Sequence, residues 1–365
     1  MQSLASLGTD WSAFAASLSQ FLDLDQTART FGALIRRRQV KDAASLLRLG
    51  LCYGPSGLSL RSAATWAGLR AGANLANTSL LDRLRQSHRW FGEIVRVLLS
   101  TTVTPVGGRL AGRTLRLVDG TSLSHPGSKG TDWRVHAIYD LASGGFSHLE
   151  LTDKHQAESI LYGPISKGEV RIADRGYARA RELSQLVTAG ADFIVRIGWN
   201  SLRLMTEQDK PFDLLAALSA LPPAAPTVAP TAVPVRVSLG KNRPAFPARL
   251  ILFAKPDEAA ERERQRAEKI SRHKHKTTDP RTIVVAGYVV LLTSLPAERF
   301  SAAAIADLYR LRWQIELSFN RLKSLLHLDQ LRAFDDDLAK SWIYCHFIAA
   351  LVTQKLSQEI LETSP

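Results

Sequence analysis

Tyr309, Arg312, Glu316 and Lys323 set a phenol, a guanidinium, a carboxylate and an ammonium at successive intervals of three, four and seven residues. On a helix turning about 100° per residue, all four fall within an arc about 60° wide, along a ribbon roughly 21 Å long. A carboxylate flanked by cations on one line suits a surface that holds a metal ion and follows a phosphate backbone. The competing reading is an exposed helix face whose Arg312–Glu316 pair at i,i+4 contributes only a few tenths of a kcal/mol. Two more carboxylates bear on the choice. Asp119 and Asp174 each read as the end of an apolar strand with a glycine close behind, at Gly120 and Gly176. Ends of neighbouring strands at one edge of an α/β sheet are where ligands bind, although an isolated aspartate there is commonly a turn former. With Glu316 on a helix packed on the same sheet, the three would form a cluster whose mutual repulsion calls for divalent cations. Oxygen-only donors favour Mg2+ or Mn2+ over zinc.

A helix and a sheet must carry these groups. Residues 308–326 read as one continuous helix, because Leu308, Leu311, Ile315, Phe319, Leu322 and Leu326 recur as an apolar stripe beside the polar ribbon. A strand, TLRLVDG, ends at Asp119, and strands over 133–141 and 146–152 are joined by a Gly144-Gly145 turn. A short helix is expected near 155–162, then a strand, EVRIADRG, ending at Asp174, a helix over 178–189 and a strand over 192–198. Consecutive strands followed by strands alternating with helices predict an α/β fold, a mixed sheet flanked by helices.

The rest of the chain divides by texture. Residues 1–105 read as an all-helical domain. Within it, Ser59 to Phe91 predicts two helices around a turn, the first ending near Gly72 and the second capped by Asn77 or Thr78 and carrying Arg83, Arg85 and Arg89. This suits a helix-turn-helix with its second helix in a major groove, and equally a plain helical hairpin. Gly107, Gly108 and Gly112 mark a linker. Residues 106–199 hold the first part of the α/β core, 200–300 an inserted β-rich subdomain, and 301–365 the Glu316 helix that completes the core and a C-terminal helix. In the insertion, Ala- and Pro-rich 219–235 is a spacer, and 235–240, 248–254 and 282–293 are strands. A charged helix over 260–276 ends in a basic half, with Lys274 and Lys276, that suits phosphate contacts better than a solvated face.

A net charge of +13 and a pI near 10.0 favour a polyanionic partner. A membrane is the poorer candidate, since the apolar runs 283–292 and 343–352 are too short to span one. Asp10, Asp23 and Asp25 interrupt any secretory signal. The two cysteines, Cys52 and Cys345, have no metal-type spacing, which argues against zinc and for a reducing cytoplasm. His125, His136, His148 and His155 read as ordinary strand and loop residues, and Trp199 and Trp313 as core tryptophans.

Taken together, these motifs resemble those of DDE transposases of the insertion sequence four family. Three pieces carry the resemblance: LRLVDGT around Asp119, IADRGY around Asp174, and the family's Y-x2-R-x3-E-x6-K pattern, met without a gap by Tyr309, Arg312, Glu316 and Lys323. The 142 positions from Asp174 to Glu316 leave room for the β-rich insertion that the family carries there. The resemblance covers roughly residues 105–330. It implies a ribonuclease H-like catalytic core in which Asp119, Asp174 and Glu316 hold two Mg2+, with Mn2+ as a substitute, Asp119 bridging both ions. It further implies metal-dependent DNA cleavage at element ends and strand transfer into target DNA, with Tyr309, Arg312, Lys323 and Arg175 on the DNA backbone. The implied partners are double-stranded element ends and target DNA, bound by a homodimer on paired ends at the nucleoid. Two alternatives use the same core: a metal-dependent nuclease that never joins strands, and a catalytically silent DNA-binding regulator. Only 49 residues follow Glu316, little room for a separate dimerisation domain.

Overall fold

The computed structural model describes residues 6–101, 110–225, 227–241 and 243–363; Gly107 and Gly108 lie outside them. β1 (Thr114–Leu123), β2 (Trp133–Asp140) and β3 (Gly145–Asp153) form an antiparallel meander. β4 (Glu169–Ala173) pairs parallel with β1, and β5 (Asp192–Arg196) pairs parallel with β4. β6 (Leu204–Met205), β7 (Thr231–Val237), β8 (Phe246–Ala254) and β9 (Tyr288–Thr293) come from the region expected as an insertion, yet they extend the same sheet through an antiparallel β5–β9 pairing. The order is β3-β2-β1-β4-β5-β9-β8-β7-β6.

Period-two alternation splits the sheet's side chains between two cores. Leu115, Leu117, Val135, Ile172 and Ile194 face one way, and Val118, Ile138, Ala173, Phe193 and Val195 face the other. The first face is covered by six N-terminal helices, α1 (Ser6–Ser19), α2 (Leu24–Thr30), α3 (Ala43–Tyr53), α4 (Leu60–Ala71), α5 (Asn77–Gln86) and α6 (His88–Ser100), together with C-terminal helices. The second face is covered by α7 (Ala180–Thr188), α8 (Leu214–Ser219) and α10 (Pro280–Ala286), while α9 (Asp257–His273) runs between β8 and α10 with its charged surface in solvent. The chain returns to the first face in α11 (Ala302–Arg310), α12 (Trp313–Leu326) and α13 (Asp336–Thr363). α13 packs on α3, α5 and α6, so the C-terminal helix shares its core with the N-terminal helices.

The structure departs from the sequence expectations at several elements. β1 does not end at Asp119: the β4 ladder stops at Val118↔Ala173, but the β2 ladder continues to Leu123↔Trp133. No helix forms over 155–162, because the backbone there bonds to side chains instead. Ser159 Oγ and Ile160 N donate to Glu182, and Arg171 takes the carbonyls of Ile160, Tyr162 and Pro164. Residues 282–293 are not one strand. Asp279 caps a helix begun by Pro280, and only after Gly287 does the chain extend as β9. The strand expected over 235–240 sits earlier, as β7. Neither Asn77 nor Thr78 caps α5, whose cap position is Ala76 without a side-chain bond. Finally, 308–326 is two helices. Leu311, Arg312, Gln314 and Ile315 N–H groups each donate to the carbonyl three residues back, a tightened turn between α11 and α12 that leaves Leu311 outside the apolar stripe, 38% exposed.

Candidate active site

The parallel register of β1 and β4 sets the geometry. Val118 lies opposite Ala173, so Asp119 and Asp174 are the next residues on neighbouring strands, just where the two ladders part. Asp119 shares the parity of Leu115 and Leu117 and points to the face on which α12 packs against β1. Asp174 precedes a single 3-10 turn, Arg175–Tyr177, that swings the chain away from the sheet.

The tightened α11–α12 turn brings three side chains onto these aspartates. The Tyr309 hydroxyl donates to Oδ1 of Asp174 at 3.2 Å. Arg312 Nη2 stands 2.6 Å from Oε1 of Glu316, and Nη1 stands 3.8 Å from Oδ2 of Asp119. The same guanidinium lies 5.8 Å from the centre of the Tyr309 ring, and its Nε is buried with no hydrogen-bond partner. Of the expected site residues, Asp119, Asp174, Tyr309, Arg312 and Glu316 are therefore brought together. Lys323 lies two turns further along α12, half-buried, without an ion-pair partner among the described residues. Arg175 is exposed beside Asp174, its side chain packed near Gly198. Lys274 and Lys276 lie exposed just beyond α9 and make no contact with the carboxylates.

Burial dominates the electrostatics of Asp119. Burial pushes its carboxyl up to about 6. The Gly120 N–H at 2.8 Å and Arg312 pull the other way, while the charges of Glu316 and Glu158 add to the rise. Burial, then the Asp174 charge, holds the Tyr309 phenol well above its ordinary value, so it remains a donor. For Arg312, burial is outweighed by Tyr309 and Glu316, and its guanidinium is held above the ordinary range. A basic tract continues past β5: Arg196, Arg175 and Arg264 crowd Lys255, whose ammonium is pushed down to about 8 by burial and then by these neighbours.

Among the described residues, no three of the His, Cys, Asp and Glu side chains stand close enough to share one metal ion. The Arg312 guanidinium reaches between Asp119 and Glu316 and relieves the repulsion that a cation would otherwise relieve. The site nevertheless fits a hard divalent cation in three respects: every donor is an oxygen, Asp119 is desolvated, and the buried Tyr177 hydroxyl beside it has no partner.

Sequence reading misplaced some residues and missed others. Trp313, expected in the core, is 60% exposed in the first turn of α12, beside Arg312. Trp199 is half-buried, its indole N–H donating to Thr282 Oγ1 at 3.0 Å under the Arg281 guanidinium. Glu158, Tyr177 and Arg196 were not singled out. Tyr177 belongs to the IADRGY segment, but Glu158 sits in a stretch whose pattern suggested a helix. Of the histidines, His136 is buried between Thr152 Oγ1 at 2.9 Å and the Tyr162 ring.

Residues 110–352 match the family profile described as the transposase DDE domain. The chain is 43% identical over 360 residues to InsL of insertion sequence element IS186A in Escherichia coli (strain K12), covering 98% of this chain and 96% of that one. It is also 43% identical, over 361 residues and the same shares, to the transposase for insertion sequence element IS421 of Escherichia coli. Among solved structures, a chain of the piggyBac transposase synaptic complex with hairpin DNA matches in fold with a TM-score of 0.50 at 7% identity, covering 94% of this chain and 73% of that one.

Proposed function

The chain belongs to the DDE transposase family and is a transposase with a ribonuclease H-like fold, and on that premise we propose that Asp119, Asp174 and Glu316 are its catalytic carboxylates, cutting DNA at element ends and joining those ends to target DNA. The observation that carries this is the convergence of Tyr309, Arg312 and Glu316 on the Asp119–Asp174 strand pair.

The family uses divalent metal. Two Mg2+, or Mn2+ in their place, held by Asp119, Asp174 and Glu316 would polarise the phosphodiester and stabilise charge on the attacking and leaving oxygens. The chain's own residues do the positioning. Tyr309 fixes the Asp174 carboxylate through its hydroxyl. Arg312 holds Glu316 and keeps a free Nε, a donor that fits a phosphate oxygen. Lys323, unpaired and two turns on, tracks the backbone away from the scissile bond, with Arg175 on the other side and Lys274 and Lys276 on more distant duplex. Water attacks in line at phosphorus and frees a 3′ hydroxyl; that hydroxyl then attacks a second phosphodiester, in the opposite strand or in target DNA. Joining both ends of an element calls for two protomers, so a homodimer on paired ends, working at the nucleoid, completes the reading. No described helix is long and apolar enough to cross a membrane.

The test is a labelled duplex carrying the element end, incubated with Mg2+ or Mn2+, beside Asp119→Ala and Glu316→Ala. Nicking with joined or hairpin products, lost in both variants, is the expected result. Nicking alone would make the protein a nuclease, and binding without metal-dependent cleavage would reduce it to a regulator.

A further inference from the structure

Glu158 approaches the Asp119–Asp174 strand pair from the sheet face opposite α12. A Cβ on Gly176 would stand 3.0 Å from its Oε2, and one on Gly120 would stand 3.7 Å from its Oε1. The two glycines that directly follow the catalytic aspartates in sequence, or follow one residue later, thus open the space that this carboxylate fills. No hydrogen bond or ion pair engages Glu158 among the described residues, although its neighbours on both sides are tied down. Arg134 donates to the Gln156 carbonyl at 3.3 Å and Tyr162 to the Ala157 carbonyl at 3.3 Å. Ser159 and Ile160 donate to Glu182 at 2.8 and 3.1 Å. Behind them the buried Arg171 guanidinium takes the carbonyls of Ile160, Tyr162 and Pro164. A loop tied down by Arg134, Glu182 and Arg171 holds out one carboxylate without a partner among the described residues.

A second observation points to a ligand. The hydroxyl of Tyr177, a residue only 2% exposed, has no hydrogen-bond partner. It is aimed into the same space, 3.3 Å from where a Gly120 Cβ would be. A buried hydroxyl left without any partner costs free energy, and its oxygen lone pair is free for a cation or a water bound to one. Four carboxylates, Asp119, Asp174, Glu158 and Glu316, gather here against the guanidiniums of Arg312, Arg134 and Arg196, a concentration of anions that favours a divalent cation.

We propose that Glu158 is a fourth carboxylate of the metal site, holding a divalent cation beside Asp119 from the face opposite Glu316. This rests on the assignment of Asp119 to the metal site and extends it to a residue outside the three-carboxylate set. Asp119 is then flanked by one carboxylate from each face of the sheet.

The experiment counts Mn2+ bound to the DNA-free, full-length protein by electron paramagnetic resonance, for the wild type, Glu158→Gln, Gly176→Ala and Asp119→Ala. Glu158→Gln keeps the side chain's size and removes its charge; Gly176→Ala keeps Glu158 and pushes its flexible end aside. The expected result is that Glu158→Gln weakens Mn2+ binding about tenfold or more, Gly176→Ala weakens it less, and Asp119→Ala abolishes it. Should Glu158→Gln and Gly176→Ala bind Mn2+ like the wild type while Asp119→Ala does not, the inference is overturned and the three-carboxylate site stands. Should Asp119→Ala also bind normally, the metal site itself has been misassigned and the inference falls with it. Gly176→Ala keeps the question answerable if Glu158→Gln does not fold.

Discussion

Asp119 is a buried carboxylate kept at a cost to the fold. Its folded pKa of about 6 lies above the ordinary 3.8, so between these values the native state binds more protons than the unfolded chain. The cost is therefore absent below about pH 4, grows as pH rises, and is complete above about pH 6, on the order of 2 kcal/mol. Asp119→Asn is expected to abolish cleavage yet raise the stability of the metal-free protein at pH 7. The gap from the wild type should close as pH falls to 4, in urea unfolding at each pH; an equal or lower stability at pH 7 would show that Asp119 is not strained. Tyr309 acts through a single hydrogen bond, 3.2 Å to Asp174. Losing such a bond is worth about 1 kcal/mol, so Tyr309→Phe should slow end cleavage by about fivefold and cost no more than about 1 kcal/mol of stability. A rate equal to wild type would remove Tyr309 from the site.

At the scale of elements, the two turns that the sequence pattern did not reveal are the ones that build the site. A straight helix over 308–326 would put the four polar groups on one ribbon; the tightened turn at Leu311 and Arg312 instead drops the guanidinium between two carboxylates. The 155–162 segment is a loop because Arg171 and Glu182, distant in sequence, supply better partners than its own backbone does. Arg171 is fully buried, with Nε 2.6 Å from Glu169, itself fully buried and shared with Arg116. Arg171→Met should therefore cost about 3–5 kcal/mol, since it leaves the buried Glu169 with Arg116 alone and frees the loop that carries Glu158. Urea unfolding measures this, and a loss under about 1 kcal/mol would mean that Arg116 alone suffices.

For the whole molecule, charge and topology carry the argument. The +13 net charge supplies a general attraction to DNA, which salt weakens. Lys274 and Lys276 sit beyond α9, away from the carboxylates, where they can touch duplex without touching the chemistry. Replacing both by Ala is expected to reduce the slope of log K against log salt by about 2, with nicking at saturating protein retained; an unchanged slope would take them off the DNA path. Much of this was legible in the chain. The motif spacing identified the family and singled out Asp119, Asp174 and Glu316, which the fold gathers through Tyr309 and Arg312, because residue type and short-range spacing can be read locally. Alternating patterns placed β2, β3, β4 and β8 within a few residues. Where partners come from afar, only the tertiary structure decided: that β1 runs past Asp119 because β2 keeps bonding it, that the strands of 200–300 extend one sheet, that Trp313 faces solvent, and that Glu158 stands against Gly120 and Gly176, which leave it room. Sequence determined which groups could do the chemistry, since that depends on residue type and short-range spacing. The fold decided which of them meet, since that depends on hydrogen bonds and packing between residues far apart in the chain.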